Sequence, residues 1–191
     1  LRKSMKNKER TAIPRVHMPE VDPEVRRYTY DEVNLGLTRE LAVTEAQRCL
    51  DCVDPTCITG CPVEINIPKF IKNIERGEFL EAAKALKETS ALPAVCGRVC
   101  PQERQCESQC FYTLKLKKEA VAIGHLERFA ADYERESGTI SLPEIAPPNH
   151  TRVAVVGSGP AGLAFAGDMV KLGYDVTVFE ALHELGGVLR Y

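Results

Sequence analysis

Eight cysteines are the residues best able to do chemistry in this chain, and all lie between Cys49 and Cys110. They form two runs of four: Cys49-x2-Cys52-x4-Cys57-x3-Cys61-Pro62, then Cys96-x3-Cys100-Pro101-x4-Cys106-x3-Cys110. Three chemistries use such runs. Disulfides belong to oxidising compartments, and the basic stretch Leu1 to Arg10 has no apolar segment marking a secretory signal. Structural zinc favours paired C-x2-C knuckles, whereas this sequence has one C-x2-C and wider spacings elsewhere. A [4Fe–4S] cluster needs four ligands, and a short loop can deliver three while the fourth comes from a distance. In two-cluster ferredoxins the three-ligand run is followed by a Cys-Pro whose thiol serves the other cluster. Cys61-Pro62 stands in that place, although the middle spacing is x4 where bacterial ferredoxins have x2. Eight thiols divide evenly into two sites. On this logic Cys49, Cys52 and Cys57 take a distant partner, and Cys61 joins the second run.

A second constellation begins at Thr151. Arg152 to Val156 reads as a buried parallel strand by its β-branched composition. Gly157-Ser158-Gly159-Pro160-Ala161-Gly162 follows and opens a helical stretch through Leu172, with Gly173 as its stop. Asp175 to Phe179 reads as a second strand, ending at Glu180. This is G-x-G-x-x-G in its required setting: strand before, helix after, acid about 20 positions on. Gly157 allows the tight turn, Gly159 lets backbone approach a pyrophosphate, and Gly162 allows close helix–strand packing. The helix N-terminus then attracts the phosphate charge. Glu180 accepts from an adenosine ribose hydroxyl, and a carboxylate there repels the 2′-phosphate of NADP. The spacing alone does not separate FAD from NAD.

The remaining sequence must hold these groups in place. With 191 residues there is room for one ordinary domain or two small ones. Twenty-five Lys and Arg against 27 Asp and Glu give a net charge of -2, which argues against a dedicated nucleic-acid binder. No apolar run is long enough to span a membrane, and a cytoplasmic location is expected. Residues 1–16 hold six basic residues and one acid; a docking arm is one reading, and a solvated flexible tail is the one expected. Thr38 to Arg48 forms a helix leading into Cys49. Ile67 to Gly77 and Phe79 to Ala91 read as two helices broken at Gly77, with Phe70, Ile71, Ile74, Phe79, Leu80, Ala83 and Leu86 in the core. Lys117 to Glu136 reads as another helix, with Val121, Leu126, Phe129 and Tyr133 near one face and His125 a structural or surface histidine. The expected order is an N-terminal arm (1–36), a helical two-cluster domain (37–136), a linker (137–150) rich in glycine and proline, and the first βαβ unit of a Rossmann-like α/β domain (151–191). The fold class is mainly α.

Taken together, the two cysteine runs, Cys96-Gly97-Arg98-Val99-Cys100-Pro101, and Val156 through Leu163 closely resemble the small (β) subunit family of NADPH-dependent glutamate synthase. Similar modules occur in the large subunit of NADH-dependent ferredoxin:NADP oxidoreductase and in dihydropyrimidine dehydrogenase. The resemblance runs from about Val33 to Tyr191. It implies one cluster on Cys49, Cys52, Cys57 and Cys110, and another on Cys61, Cys100 and Cys106 with a fourth ligand. Thiol counting favours Cys96 for that place. However, Glu127 stands where dihydropyrimidine dehydrogenase supplies a Gln. The resemblance further implies FAD on Gly157, Ser158, Gly159, Pro160, Ala161, Gly162 and Glu180, with Gly186-Gly187-x-Leu189 as a flavin-contact loop. The family continues beyond the equivalent of Tyr191 to finish the FAD domain and add an NADPH-binding one, so 1–191 is expected to be a fragment, or the ordered part, of a longer flavoprotein. No catalytic residue is expected in this stretch. The implied role passes electrons from NADPH through FAD and two clusters to a large catalytic subunit, as in glutamate synthase, or to a ferredoxin-linked partner. A non-catalytic relay module is the remaining alternative.

Overall fold

The computed structural model describes residues 5–191 and divides the chain into two compact units, one ending at Ile140 and one beginning at Ser141. The first unit is helical. Its short helices α1 (Asn7–Arg10) and α2 (Pro23–Arg26) precede α3 (Arg39–Ala46), which Thr38 caps by accepting from the Leu41 N–H at 3.3 Å. A single turn, α4 (Thr56–Thr59), lies inside the first cysteine run. Helix α5 (Ile67–Arg76) starts with the Asn66 side chain accepting from the Lys69 N–H and ends at Gly77, whose φ of 82° makes it a left-handed cap. Next come α6 (Phe79–Lys87), α7 (Pro93–Val99) and the long α8 (Ile123–Ser137).

Phe70, Ile71 and Ile74 of α5 recur at helical spacing and are fully buried against Leu86 of α6 and Leu126 of α8. Each such side chain contributes about 1.5–3 kcal/mol. Phe79 meets Phe129 and Tyr133 edge-on, with ring centroids 5.1 and 4.9 Å apart, and closes the end of this core. Leu80, expected inside, is instead exposed: α6 presents Ala82, Ala83, Ala85 and Leu86 inward, and Leu80 falls off that stripe.

Two larger corrections share one cause. The helix expected from Lys117 begins only at Ile123. A π-helical turn, Tyr112–Leu116, comes first, Lys117 takes φ 53°, and residues 117–122 run non-helically. Their backbone groups are engaged elsewhere. The carbonyls of Glu119 and Ala120 accept from Arg48 at 2.6 and 2.8 Å, Ala120 also accepts from Arg15 at 2.9 Å, and Ala122 N–H donates to Glu45 at 2.8 Å. The second correction is the N-terminal stretch. Residues 1–4 lie outside the described residues, but from Met5 onward the segment is no solvated tail. Val16 N–H donates to Glu45 at 2.7 Å, Arg15 pairs with Glu107 at 2.9 Å, and Arg10 is buried against the end of α3. At the centre is the ion pair Glu45–Arg48, 2.5 Å apart and almost wholly shielded from water, with Arg48 also lying over the Tyr112 ring.

The second unit starts on β1 (Arg152–Val156), which crosses through α9 (Pro160–Lys171) to the parallel β2 (Asp175–Phe179). The register pairs Arg152 with Asp175 and Val156 with Phe179. Contrary to expectation, β1 is not buried throughout. Val155 is covered while Val156 and Phe179 are exposed, because α9 shields one face of the pair. Among the described residues no helix is long and apolar enough to cross a membrane.

Removing Glu45 leaves the Arg48 guanidinium buried without its counter-charge, which costs about 3–5 kcal/mol. Glu45→Ala should therefore lower the urea midpoint sharply, whereas Arg76→Ala, at a solvent-exposed pair with Glu78, should change it little. Similar midpoints for the two variants would contradict the anchoring role.

Candidate functional site

All eight cysteines are free thiols. The fold sorts them across the two runs and not within them. Cys49 follows α3, Cys52 lies in the next loop, Cys57 sits in α4, and Cys110 comes from the second run; all four line one largely apolar cavity with Ile67, Ile71, Tyr112 and Val121. Burial in apolar surroundings, with the neighbouring thiols, pushes Cys49 up to about 11 and Cys57 up to about 12. Two contacts bring Cys110 across. Thr56 donates to the Gln109 carbonyl at 2.6 Å, and Gly60 packs so tightly that a Cβ there would lie 2.8 Å from Gln109 Cγ and 3.1 Å from the Cys106 Cα. Only a residue without a side chain fits beside Cys61.

Cys61, Cys96, Cys100 and Cys106 form the second group. Each of the last three has its thiol raised first by burial and then by charges within this group, Glu127 among them. Helix α7 carries Cys96 and α8 carries Glu127, and the next residue of each makes the closest helix–helix approach. A Cβ on Gly97 would lie 2.6 Å from the Arg128 backbone nitrogen. Gly124 leaves room for the Gln102 side chain, which donates to the Cys96 carbonyl at 2.9 Å. Glu127 is not a surface acid. The residue is 5% exposed, its Oε1 is buried with no hydrogen-bond partner among the described residues, and burial pushes its carboxyl up to about 7. An unpaired buried carboxylate is costly. Cys96, by contrast, already has the Ser90 side chain as a hydrogen-bonding neighbour. His125 is half-buried, lowered by burial first, and influenced by Arg15, Glu107, Arg128 and His17 with no cysteine among them, so it belongs to neither group.

Donor chemistry and spread suit a cubane cluster in both places. Soft, anionic thiolates suit iron–sulfur ligation, and a carboxylate, though a harder donor, brings the same single negative charge. Among the described residues no three His, Cys, Asp or Glu side chains converge tightly enough for a single metal ion. Tetrahedral zinc, with Zn–S near ~2.3 Å, requires that convergence; four iron corners do not. Gly60, Gly97 and Gly124 are the shaping residues that spacing analysis missed, although each of the first two adjoins a cysteine in sequence.

In the second unit the glycine-rich turn forms as its residue types require. Gly157 takes φ 94°, and a Cβ on Gly162 would collide with the Gly157 carbonyl oxygen. Gly159, at the N-cap of α9, has open space where its Cβ would be, the clearance a phosphate needs. Gly186 and Gly187 fold back onto this turn, with a Cβ on Gly187 only 3.0 Å from Gly159 Cα. Leu189 follows in the same short turn, while Pro160 and Ala161 form the first turn of α9. Ser158 is fully buried and faces inward. Its N–H and hydroxyl donate to Glu180 at 2.9 and 2.5 Å, and the hydroxyl accepts from Gly186 N–H at 3.1 Å. These bonds, the Ser158 hydroxyl foremost, hold the Glu180 carboxyl down to about 2, so it is ionised and fixed at the end of β2.

A family model described as dihydropyrimidine dehydrogenase domain II, 4Fe-4S cluster, matches residues 26–139, and one described as an NAD(P)-binding Rossmann-like domain matches residues 155–191. The chain is 38% identical over 181 residues to the glutamate synthase [NADPH] small chain of Escherichia coli, covering 94% of this chain and 38% of that protein. It is 40% identical over 160 residues to the NAD-dependent dihydropyrimidine dehydrogenase subunit PreT of the same organism, covering 84% and 38%. It is 39% identical over 167 residues to the putative oxidoreductase UacF, covering 87% and 26%. The chain thus spans from about a quarter to two fifths of the length of these relatives. With the first match covering more than half of its residues, the chain belongs to the dihydropyrimidine dehydrogenase domain II family of [4Fe–4S] proteins, followed by a stretch that matches an NAD(P)-binding Rossmann-like domain.

Proposed function

We propose that this chain is the relay end of an NADPH-dependent flavoprotein subunit that feeds electrons to a large catalytic partner, as in glutamate synthase. The observation that carries the reading is the sorting of nine donors into two groups that each cross the cysteine runs. Cys49, Cys52, Cys57 and Cys110 hold one [4Fe–4S] cluster; Cys61, Cys100, Cys106 and Glu127 hold the other. Glu127 takes the fourth place over Cys96 because its Oε1 is buried beside these thiols with no hydrogen-bond partner among the described residues. The residues around Gly159 hold the dinucleotide end of FAD, and Glu180 faces its ribose. The bound groups supply the conversion of a two-electron hydride donor into single electrons. The chain's own part is to keep the thiolates dry, fix their spacing, and offer backbone donors to the pyrophosphate. The alternative of a pyrimidine-reducing assembly has support in the PreT relative, named as an NAD-dependent dihydropyrimidine dehydrogenase subunit. Purifying the longer native protein and identifying the subunit that accompanies it separates these: a very large amidotransferase-containing subunit supports the glutamate synthase reading, and any other partner overturns it.

Three outcomes follow at the bench. In the anaerobically reconstituted chain, Cys52→Ser and Cys110→Ser should perturb one EPR signal, while Cys61→Ser and Glu127→Ala perturb the other and Cys96→Ser leaves both intact. A shared effect of Cys52→Ser and Cys61→Ser on one signal would break the crossed assignment. Gly97→Ala should push α7 from α8 and remove about half of the bound iron, with the Cys52-dependent signal kept. Gly159→Ala in the longer native protein should leave folding intact and abolish flavin retention, since its Cβ meets no protein atom; a variant retaining flavin would refute the assignment of this turn.

A further inference from the structure

The two thiol sites differ in the charges that face them. Lys72 of α5 donates to the Cys49 carbonyl at 2.5 Å and to Glu75 at 2.7 Å. Arg10, from the segment expected to be a tail, donates to the Gln47 carbonyl at 2.7 Å, the Cys49 carbonyl at 3.4 Å, and both oxygens of Glu75 at 3.0 and 2.7 Å. Two cations thus share one carboxylate beside Cys49, leaving one positive charge in excess, and the Lys72 and Arg10 side chains are only 14% and 9% exposed. Arg48 is also close but fully matched by Glu45. Asp51 faces Cys52 from an exposed position, where water screens it. At the other site the strongest charges acting on Cys96, Cys100 and Cys106 among the described residues are all negative. Their neighbours are Glu127, Glu103 and Glu107, of which Glu107 is matched by Arg15 at 2.9 Å and Glu103 is exposed.

We propose that Lys72, buttressed by Arg10, is a positioning and tuning residue that raises the potential of the Cys49-side cluster above that of the Cys61-side cluster. The effect is electrostatic. Reduction adds one electron and one negative charge to a cluster with no bond made and no proton moved, so a poorly hydrated cation nearby favours the reduced form. Glu127 and a thiolate carry the same formal charge as ligands, so ligand exchange alone does not cancel the difference in surroundings. One electron leaving the Cys61-side cluster therefore moves downhill to the Cys49-side one. The N-terminal segment acquires a role in this: it carries the second cation and grips the backbone of the first ligand. The inference rests on the two-cluster reading above.

The test is an EPR-monitored redox titration of the reconstituted chain, with the Cys49-side signal identified by its loss in Cys52→Ser. In the unaltered protein that signal should appear first as the potential is lowered. Lys72→Met should move its midpoint to more negative potential and leave the other signal in place, and Arg10→Gln should move it in the same direction. Lys72→Arg should restore the original midpoint, which a purely structural lysine would not require. If the Cys61-side signal appears first in the unaltered protein, or if Lys72→Met shifts both signals alike or neither, the proposal is wrong. Should Lys72→Met fail to take up iron, the order of the two signals in the unaltered protein still decides. Absence of two separate signals would instead defeat the two-cluster reading itself.

Discussion

Thiolates placed in an apolar interior are unstable unless a metal shares their charge, and this constraint shapes the first unit. Burial pushes up the thiols of Cys49, to about 11, and Cys57, to about 12, and in the second group raises Cys96, Cys100 and Cys106. Metal uptake therefore displaces protons, and its free energy becomes folding free energy for the loops that carry the thiols. The loops are short and irregular: one turn at α4, a 3-10 turn at Gln102–Arg104, and a π-helical turn after Cys110. Such segments bury little of their own. The proposed crossing of the donor sets would tie them together, since neither cysteine run would then complete a site without a ligand from elsewhere in the chain.

Protein packing brings the loops to the right place before any metal is considered. Gly60 lets the first run lie on the second, and Gly97 lets α7 lie on α8. The Glu45–Arg48 pair gathers α3, the N-terminal segment and the 117–122 strap through five hydrogen bonds to backbone or each other. A buried ion pair is often no more stabilising than apolar residues of equal size. Here its geometry does something apolar residues cannot: it satisfies backbone groups of a non-helical strap that covers the cavity of the first site. Specificity of arrangement is the gain, and it explains why charge is tolerated so deep.

Much of the site was readable from spacing. The Cys-Pro after three cysteines pointed to a thiol for a neighbouring site, and in the structure Cys110, from the second run, lines the cavity of Cys49, Cys52 and Cys57. The glycine turn was equally readable, because each glycine answers a local steric demand that a single sequence window contains. The misses have a different physical origin. Arg10, Arg15 and Arg48 act through long side chains on carbonyls far away in sequence, and such contacts leave no periodicity. The 117–122 strap has helix-compatible residues but its backbone partners come from α3 and the N-terminus, so tertiary bonds override propensity. Glu127 was singled out only by the family resemblance, since nothing in its spacing sets it apart from other helix acids. Only the approach of α7, permitted by Gly97, shows that it is enclosed, with its Oε1 lacking a partner among the described residues.

The central claim is that two four-iron sites exist and that each draws ligands from both halves of the cysteine-bearing segment. An iron-edge anomalous difference map from crystals of the anaerobically reconstituted chain tests it most directly. The account predicts two separate four-iron peaks, one touching Cys49, Cys52, Cys57 and Cys110, the other touching Cys61, Cys100, Cys106 and the Glu127 carboxylate. A peak joined to Cys49, Cys52, Cys57 and Cys61 together, or single-ion density at either site, would contradict it.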